Sequence, residues 1–197
     1  MALELSLRSA IGFLLLGALA IGGCDRQSQA PQQANETTAA ANASVGSEPE
    51  YGGTLDRTHK GEAAPATEFT DPSGKKVSIA SFKGKPVLLN LWATWCIPCI
   101  KEMPTLDTLA GANGDSLQIL TVSQDLKGKE SVDPFFTKAG YKHLKPYLDT
   151  EAALSTGMGA NLPTTILYDS AGREVWRMSG DYDWSGEKAA ALIAEAK

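Results

Sequence analysis

The sequence predicts an α/β domain whose mixed sheet is flanked by helices. Three observations carry that expectation. From Ala66 to Lys197, segments of strand character alternate with segments of helical character. The run Pro86-Val87-Leu88-Leu89-Asn90-Leu91-Trp92 is apolar almost without a break, as expected of a strand buried on both faces. Near the C-terminus, Asp169-Ser170-Ala171-Gly172 separates two short apolar runs and reads as a hairpin turn.

The elements follow in chain order. Asp71-Pro72-Ser73-Gly74 turns the chain between short strands around Phe69 and Val77, because Pro presets φ and Gly admits positive φ. Pro86 to Trp92 is the expected central strand. Helices are expected from Pro98 to Leu109, Ser131 to Ala139, Thr150 to Ser155 and Glu187 to Ala196, with strands at Leu117 to Ser123 and Pro146 to Leu148. Thr164 to Tyr168 and Glu174 to Met178 form the hairpin.

At 197 residues the chain has room for one domain and its core. Lys+Arg 18 against Asp+Glu 23 leaves a formal charge of -5, which argues against a non-specific nucleic-acid binder. Three cysteines are too few for a disulfide-built scaffold, and the two histidines, His59 and His143, lie far apart. No structural zinc and no cofactor are expected.

Residues 1–23 read as a signal peptide. No charge falls between Ser9 and Cys24, and Ile11 to Ile21 is apolar. A run of about a dozen residues is short against the ~20 that span a bilayer, yet fits a signal h-region. Its end, Ile21-Gly22-Gly23-Cys24, resembles the bacterial lipobox, in which the cysteine is lipidated and becomes the new N-terminus. Asp25 resembles the signal that holds some proteobacterial lipoproteins at the inner membrane. The expected location is therefore the bacterial inner membrane, facing the periplasm.

From Cys24 to Pro65 the composition turns to Gln, Asn, Ala, Ser, Thr, Pro and Gly. So few large apolar groups cannot offset the entropy of ordering the chain, so this stretch reads as a disordered tether reaching roughly 35 Å. The alternative is that Tyr51 to Lys60 adds an edge strand to the domain, which otherwise begins at Ala66.

The central strand leads into Ala93-Thr94-Trp95-Cys96-Ile97-Pro98-Cys99, placing two cysteines at a strand-to-helix turn. Unpaired N–H groups and the positive end of the helix dipole favour thiolate there. With two residues between them, the second cysteine can reach back one helical turn to close a disulfide. No second cysteine pair exists to complete a metal site, so a redox pair is the reading.

Trp92 to Cys99, followed by Glu102-Met103-Pro104, resembles the active-site segment of TlpA/ResA-type thiol:disulfide oxidoreductases of the thioredoxin superfamily. Asn161-Leu162-Pro163-Thr164-Thr165-Ile166-Leu167 is similar to the superfamily's cis-proline loop and the strand after it. The resemblance spans Ala66 to Lys197 and implies a thioredoxin-like fold with a TlpA/ResA-type insertion around Ser123 to Thr156. It implies Cys96 as attacking thiol, Cys99 as resolving thiol, a cis Leu162–Pro163 bond beside them and a kink at Pro104. Asn90 stands where thioredoxin carries a buried aspartate, and Glu102 is the residue named to carry protons instead.

The expected function is reduction of disulfides in client proteins by a membrane-tethered dithiol. In an oxidising compartment a reduced dithiol must be renewed, which implies a membrane electron donor. The client stays open between apocytochrome c, in cytochrome c maturation, a copper-site assembly protein and a broader set. Two other classes compete. One is a Cu(I)-binding module using Cys96, Cys99 and Met158 or His143, because soft thiolates select Cu(I). The other is a peroxiredoxin-like peroxidase.

Overall fold

The computed structural model describes residues 51–196 of the chain. Eight strands run through it: β1 (Thr54–Asp56), β2 (Phe69–Thr70), β3 (Lys76–Val77), β4 (Val87–Trp92), β5 (Gln118–Ser123), β6 (Pro146–Leu148), β7 (Thr164–Tyr168) and β8 (Glu174–Ser179). Four α-helices accompany them: α1 (Ile97–Asn113), α2 (Lys129–Ala139), α3 (Ala153–Met158) and α4 (Glu187–Ile193). The strands form one mixed sheet in the order β1-β8-β7-β4-β5-β6-β2-β3.

β4 lies at the centre because every one of its residues is buried. It pairs in parallel with β5, from Val87 opposite Gln118 to Trp92 opposite Ser123, and antiparallel with β7, Leu91 opposite Thr164. Period-two alternation sends its side chains into two cores. Leu88 and Trp92 join α1 residues such as Met103 and Leu106 on one face, while Val87, Leu89 and Leu91 pack with Phe69, Leu120 and Ile166 on the other. Asn90, in phase with Leu88 and Trp92, is a fully buried polar group on the α1 face.

Helix α1 runs on through Pro104 to Asn113, past the expected end at Leu109. Helix α3 starts later than expected, at Ala153. The Asp149 carboxylate accepts the N–H groups of Ala153 (3.1 Å) and Leu154 (2.8 Å), fixing that start, and Ala152 just before it is held at a φ of 50°. At the C-terminus α4 stops at Ile193 and a 3-10 turn, Ala194–Ala196, completes the segment.

The fold extends N-terminal of Ala66, into residues expected in the tether. β1 pairs antiparallel with β8, Leu55 opposite Met178, and Ala63 bridges to Arg173. This is the edge-strand alternative. Leu55 packs on the α1-side core, and Arg57 pairs with Glu195 at 2.6 Å. At Gly53 a Cβ would come 2.9 Å from Met178 Sδ and 3.0 Å from the Asp181 carbonyl, so the close approach needs glycine. Residues 1–50, with the expected signal peptide, Cys24 and most of the tether, lie outside the described residues. Among the described residues no helix is long and apolar enough to cross a membrane.

Candidate active site

Cys96 is the N-cap of α1 and Cys99 lies in its first turn. The two sulfurs form a disulfide with Cα atoms 5.3 Å apart. The Cys99 N–H points at Cys96 Sγ, 3.3 Å away. Pro98, between them, has no N–H to lose at a position where the helix cannot bond it anyway. Cys99 is wholly buried and Cys96 is 5% exposed, so Cys96 forms the exposed edge of the disulfide.

The turn before Cys96 is held from two sides. Gln124 donates its N–H to the Trp92 carbonyl at 2.8 Å. Asp125 accepts the Thr94 N–H at 2.9 Å, the Thr94 hydroxyl at 2.7 Å and the Ser123 hydroxyl at 2.7 Å. Trp95, Ile97 and Leu126 are the exposed large hydrophobic side chains among the described residues. Trp95 and Ile97, the latter the first residue of α1, flank Cys96, and Leu126 follows Asp125, whose carboxylate ties its loop to Thr94.

β7 brings the second predicted motif to the same end of the sheet. Thr164 pairs with Leu91 near the C-terminal end of β4, and Pro163 immediately precedes it. The Leu162–Pro163 peptide is cis. Pro163 is buried, its carbonyl accepting the Gly180 N–H at 2.9 Å, and Leu162 packs against the core that holds both cysteines.

Glu102 lies one turn beyond Cys99 and is fully buried. Its Oε1 accepts from Asn90 Nδ2 at 2.7 Å; its Oε2 accepts from the Tyr182 N–H at 3.0 Å and the Trp184 indole at 3.1 Å. Burial pushes the carboxyl up to about 7, against the opposite pull of those three donors, and the nearby Asp181 adds to the rise. Such a group holds or releases a proton near neutral pH. It thus belongs to the cysteines' helix and core rather than to the solvent. Thr105 reinforces the arrangement, its hydroxyl accepting the Trp184 N–H at 3.0 Å.

Sequence reasoning missed Thr94, Asp125, Tyr182 and Trp184. For Asp125 a signal existed, because Ser123-Gln124-Asp125 is a polar run directly at the end of an apolar strand. The proposed copper ligands are not assembled in the same way. His143 packs on Gly111, where a Cβ would meet its ring at 2.8 Å, and fifteen residues of helix from Cys96 amount to about 22 Å. Met158 takes the Tyr168 hydroxyl on its sulfur at 3.9 Å. Among the described residues no three His, Cys, Asp or Glu side chains form a metal-holding group.

Comparison with known proteins agrees with this geometry. Residues 59–193 match the Redoxin family. The chain belongs to the Redoxin family. Within it, the sequence is 33% identical over 122 residues to the thiol-disulfide oxidoreductase ResA of Bacillus thuringiensis (strain Al Hakam), covering 61% of this chain and 70% of the relative. A thiol-disulfide oxidoreductase structure from Bacteroides vulgatus superposes with a TM-score of 0.60 at 29% identity, covering 70% of this chain and 96% of that one. The exposed lipoprotein thioredoxin Etrx1 of Streptococcus pneumoniae superposes with a TM-score of 0.55 at 29% identity, covering 66% and 96%. This Redoxin-family protein is a TlpA/ResA-like thiol:disulfide oxidoreductase with a thioredoxin-like fold, and disulfide-bearing proteins are its class of substrate.

Proposed function

We propose that the protein is a membrane-tethered extracytoplasmic reductant of disulfides in client proteins. The observation that carries the reading is the Cys96–Cys99 disulfide capping α1 with the Glu102 carboxyl buried one turn beneath it. In the reduced protein Cys96 Sγ, as thiolate, attacks one sulfur of the client disulfide and expels the other. Cys99 Sγ then attacks Cys96 Sγ, freeing the client's first sulfur and closing the Cys96–Cys99 disulfide. Two electrons pass to the client, and the two thiol protons follow onto its sulfurs. Glu102 is the group that takes the proton of Cys99 and passes it on. Pro163, beside Leu162, borders the site where an extended client segment lies. The exposed Trp95, Ile97 and Leu126 favour a client with apolar residues flanking its cystine.

Direction follows from what stabilises the thiolate. DsbA is strongly oxidising because its reduced form is stabilised. Here the residues between the cysteines are Ile97 and Pro98, and the Cys99 N–H is the donor aimed at Cys96 Sγ. A buried carboxyl on the same helix opposes thiolate formation further.

Cys24 would carry the lipid, consistent with the pneumococcal relative being an exposed lipoprotein. A membrane dithiol donor would renew the pair. Equilibration with glutathione tests the direction. The expected potential lies near thioredoxin's, about -270 mV, and a value near DsbA's, about -120 mV, would overturn the reductant reading.

A further inference from the structure

Glu102 can carry a proton with a hydrogen-bond partner on only one of its two oxygens. Oε2 accepts from the Tyr182 backbone N–H and the Trp184 indole, and both groups are donors only, so neither can turn to receive an acid O–H. Among the described residues Oε1 has one donor, Asn90 Nδ2. A primary amide carries donor and acceptor on one planar group.

Both protons of that amide are in use, the second donated to Thr165 Oγ1 at 2.9 Å. Asn90 Oδ1 is buried without a partner among the described residues. Open buried acceptors are rare and ask for a reason.

We propose that Asn90 serves both protonation states of Glu102, donating through Nδ2 to the carboxylate and, after a half-turn about χ2, accepting through Oδ1 from the carboxylic acid. The proposal rests on reading Glu102 as the proton carrier and makes Asn90 a positioning residue acting through it. The half-turn exchanges Nδ2 and Oδ1, so that Oδ1 stands between Glu102 Oε1 and Thr165 Oγ1. It then accepts from both, the Thr165 hydroxyl reversing from acceptor to donor. The proton itself arrives on Glu102 Oε1 and leaves from it, and the amide neither gains nor loses one. The open group changes with the state: Oδ1 while Glu102 is charged, Nδ2 while it is neutral. An aspartate at this position would set a second carboxyl against Oε1, and a leucine would serve neither state.

The titration is that of Glu102 in its surroundings. Asp181 faces it from the loop after β8, and Tyr51, itself beside Asp183, from the segment before β1. Lys101, on α1 itself, is held by Asp181 at 2.8 Å. On reduction the Cys96 and Cys99 thiols join them.

The test is NMR on the full chain in detergent, with 13C in the glutamate carboxyls and 15N in the asparagine amides, from pH 4.5 to 9. Glu102→Gln identifies both signals. The expected result is one midpoint shared by the Glu102 carboxyl and the Asn90 amide. The Asn90 amide protons should move upfield, toward unbonded values, as Glu102 takes its proton. If Glu102 titrates while those protons keep their hydrogen-bonded positions, the half-turn does not occur; the proposal falls and the proton-carrier reading stands. If Glu102 does not titrate in the range, both fall.

Discussion

Asp125 holds Thr94 at two points, accepting its backbone N–H at 2.9 Å and its hydroxyl at 2.7 Å. Thr94 stands two residues before Cys96, so the loop presenting the exposed edge of the disulfide is fastened to the end of β5. The same carboxylate, 4% exposed, takes the Ser123 hydroxyl as well. Removing it leaves several donors unanswered at about 1–3 kcal/mol each. Asp125→Ala is expected to lower stability by about 2–4 kcal/mol in urea unfolding at pH 7, and Asp125→Asn by less, since its amide oxygen still accepts. A loss within about 0.5 kcal/mol for the alanine variant would show that the tie carries no load.

The difference in exposure between the two cysteines is the basis of the proposed order of attack. Cys99→Ser should accumulate a covalent complex with client protein that dithiothreitol dissolves, because the step that resolves it is gone. Cys96→Ser should accumulate none, since the buried Cys99 cannot reach the client. Equal trapping by both variants would refute the assignment of roles.

Glu102 links stability to pH with a definite sign. Its folded-state value, about 7, lies above the ordinary 4.5, so the folded protein binds the proton more readily than the unfolded chain. Stability from this group is complete below pH 4.5 and is lost as pH rises through 7. The scale is roughly 3 kcal/mol, at 1.36 kcal/mol per pH unit. Glu102→Gln should lack this fall, so that its stability relative to wild type improves by up to that amount between pH 4 and 8.5. Unfolding of the oxidised proteins measures it, and parallel pH profiles would contradict the assignment. In the reduced protein the same substitution should move the pH profile of Cys96 alkylation downward, because a like charge no longer opposes the thiolate.

Membrane attachment is expected to depend on Cys24. Two acyl chains on its thioether exceed the marginal binding that one chain supports. In Cys24→Ser, detergent partitioning should shift the protein to the aqueous phase. Retention of the variant in the detergent phase would assign the anchor to another segment.

Much of the fold was legible because its signals are local. The apolar run of β4, the Asp169–Gly172 turn, the proline of the β7 loop and the Cys96-Ile97-Pro98-Cys99 turn are each decided within a few residues. β1 is only an alternative in the sequence, since three residues with one apolar side chain carry no periodicity. What places it is Leu55 in the core and Gly53 against Met178. Similarly, α3 starts where Asp149 caps it, a choice between neighbouring turns that helix propensity does not make.

By itself, the sequence determined the chemistry: two thiols at a helix N-terminus, a carboxyl one turn on and an amide in the strand behind. Only the tertiary structure decided what those groups could do to one another. Tyr182 and Trp184 reach Glu102 across 80 and 82 residues of chain, and Thr165 reaches Asn90 across 75. Each polar group in that core carries its meaning through its partner and through the exclusion of water. Both are properties of packing between distant segments, so the burial of Glu102 appears only when β4 and the loop after β8 close over α1.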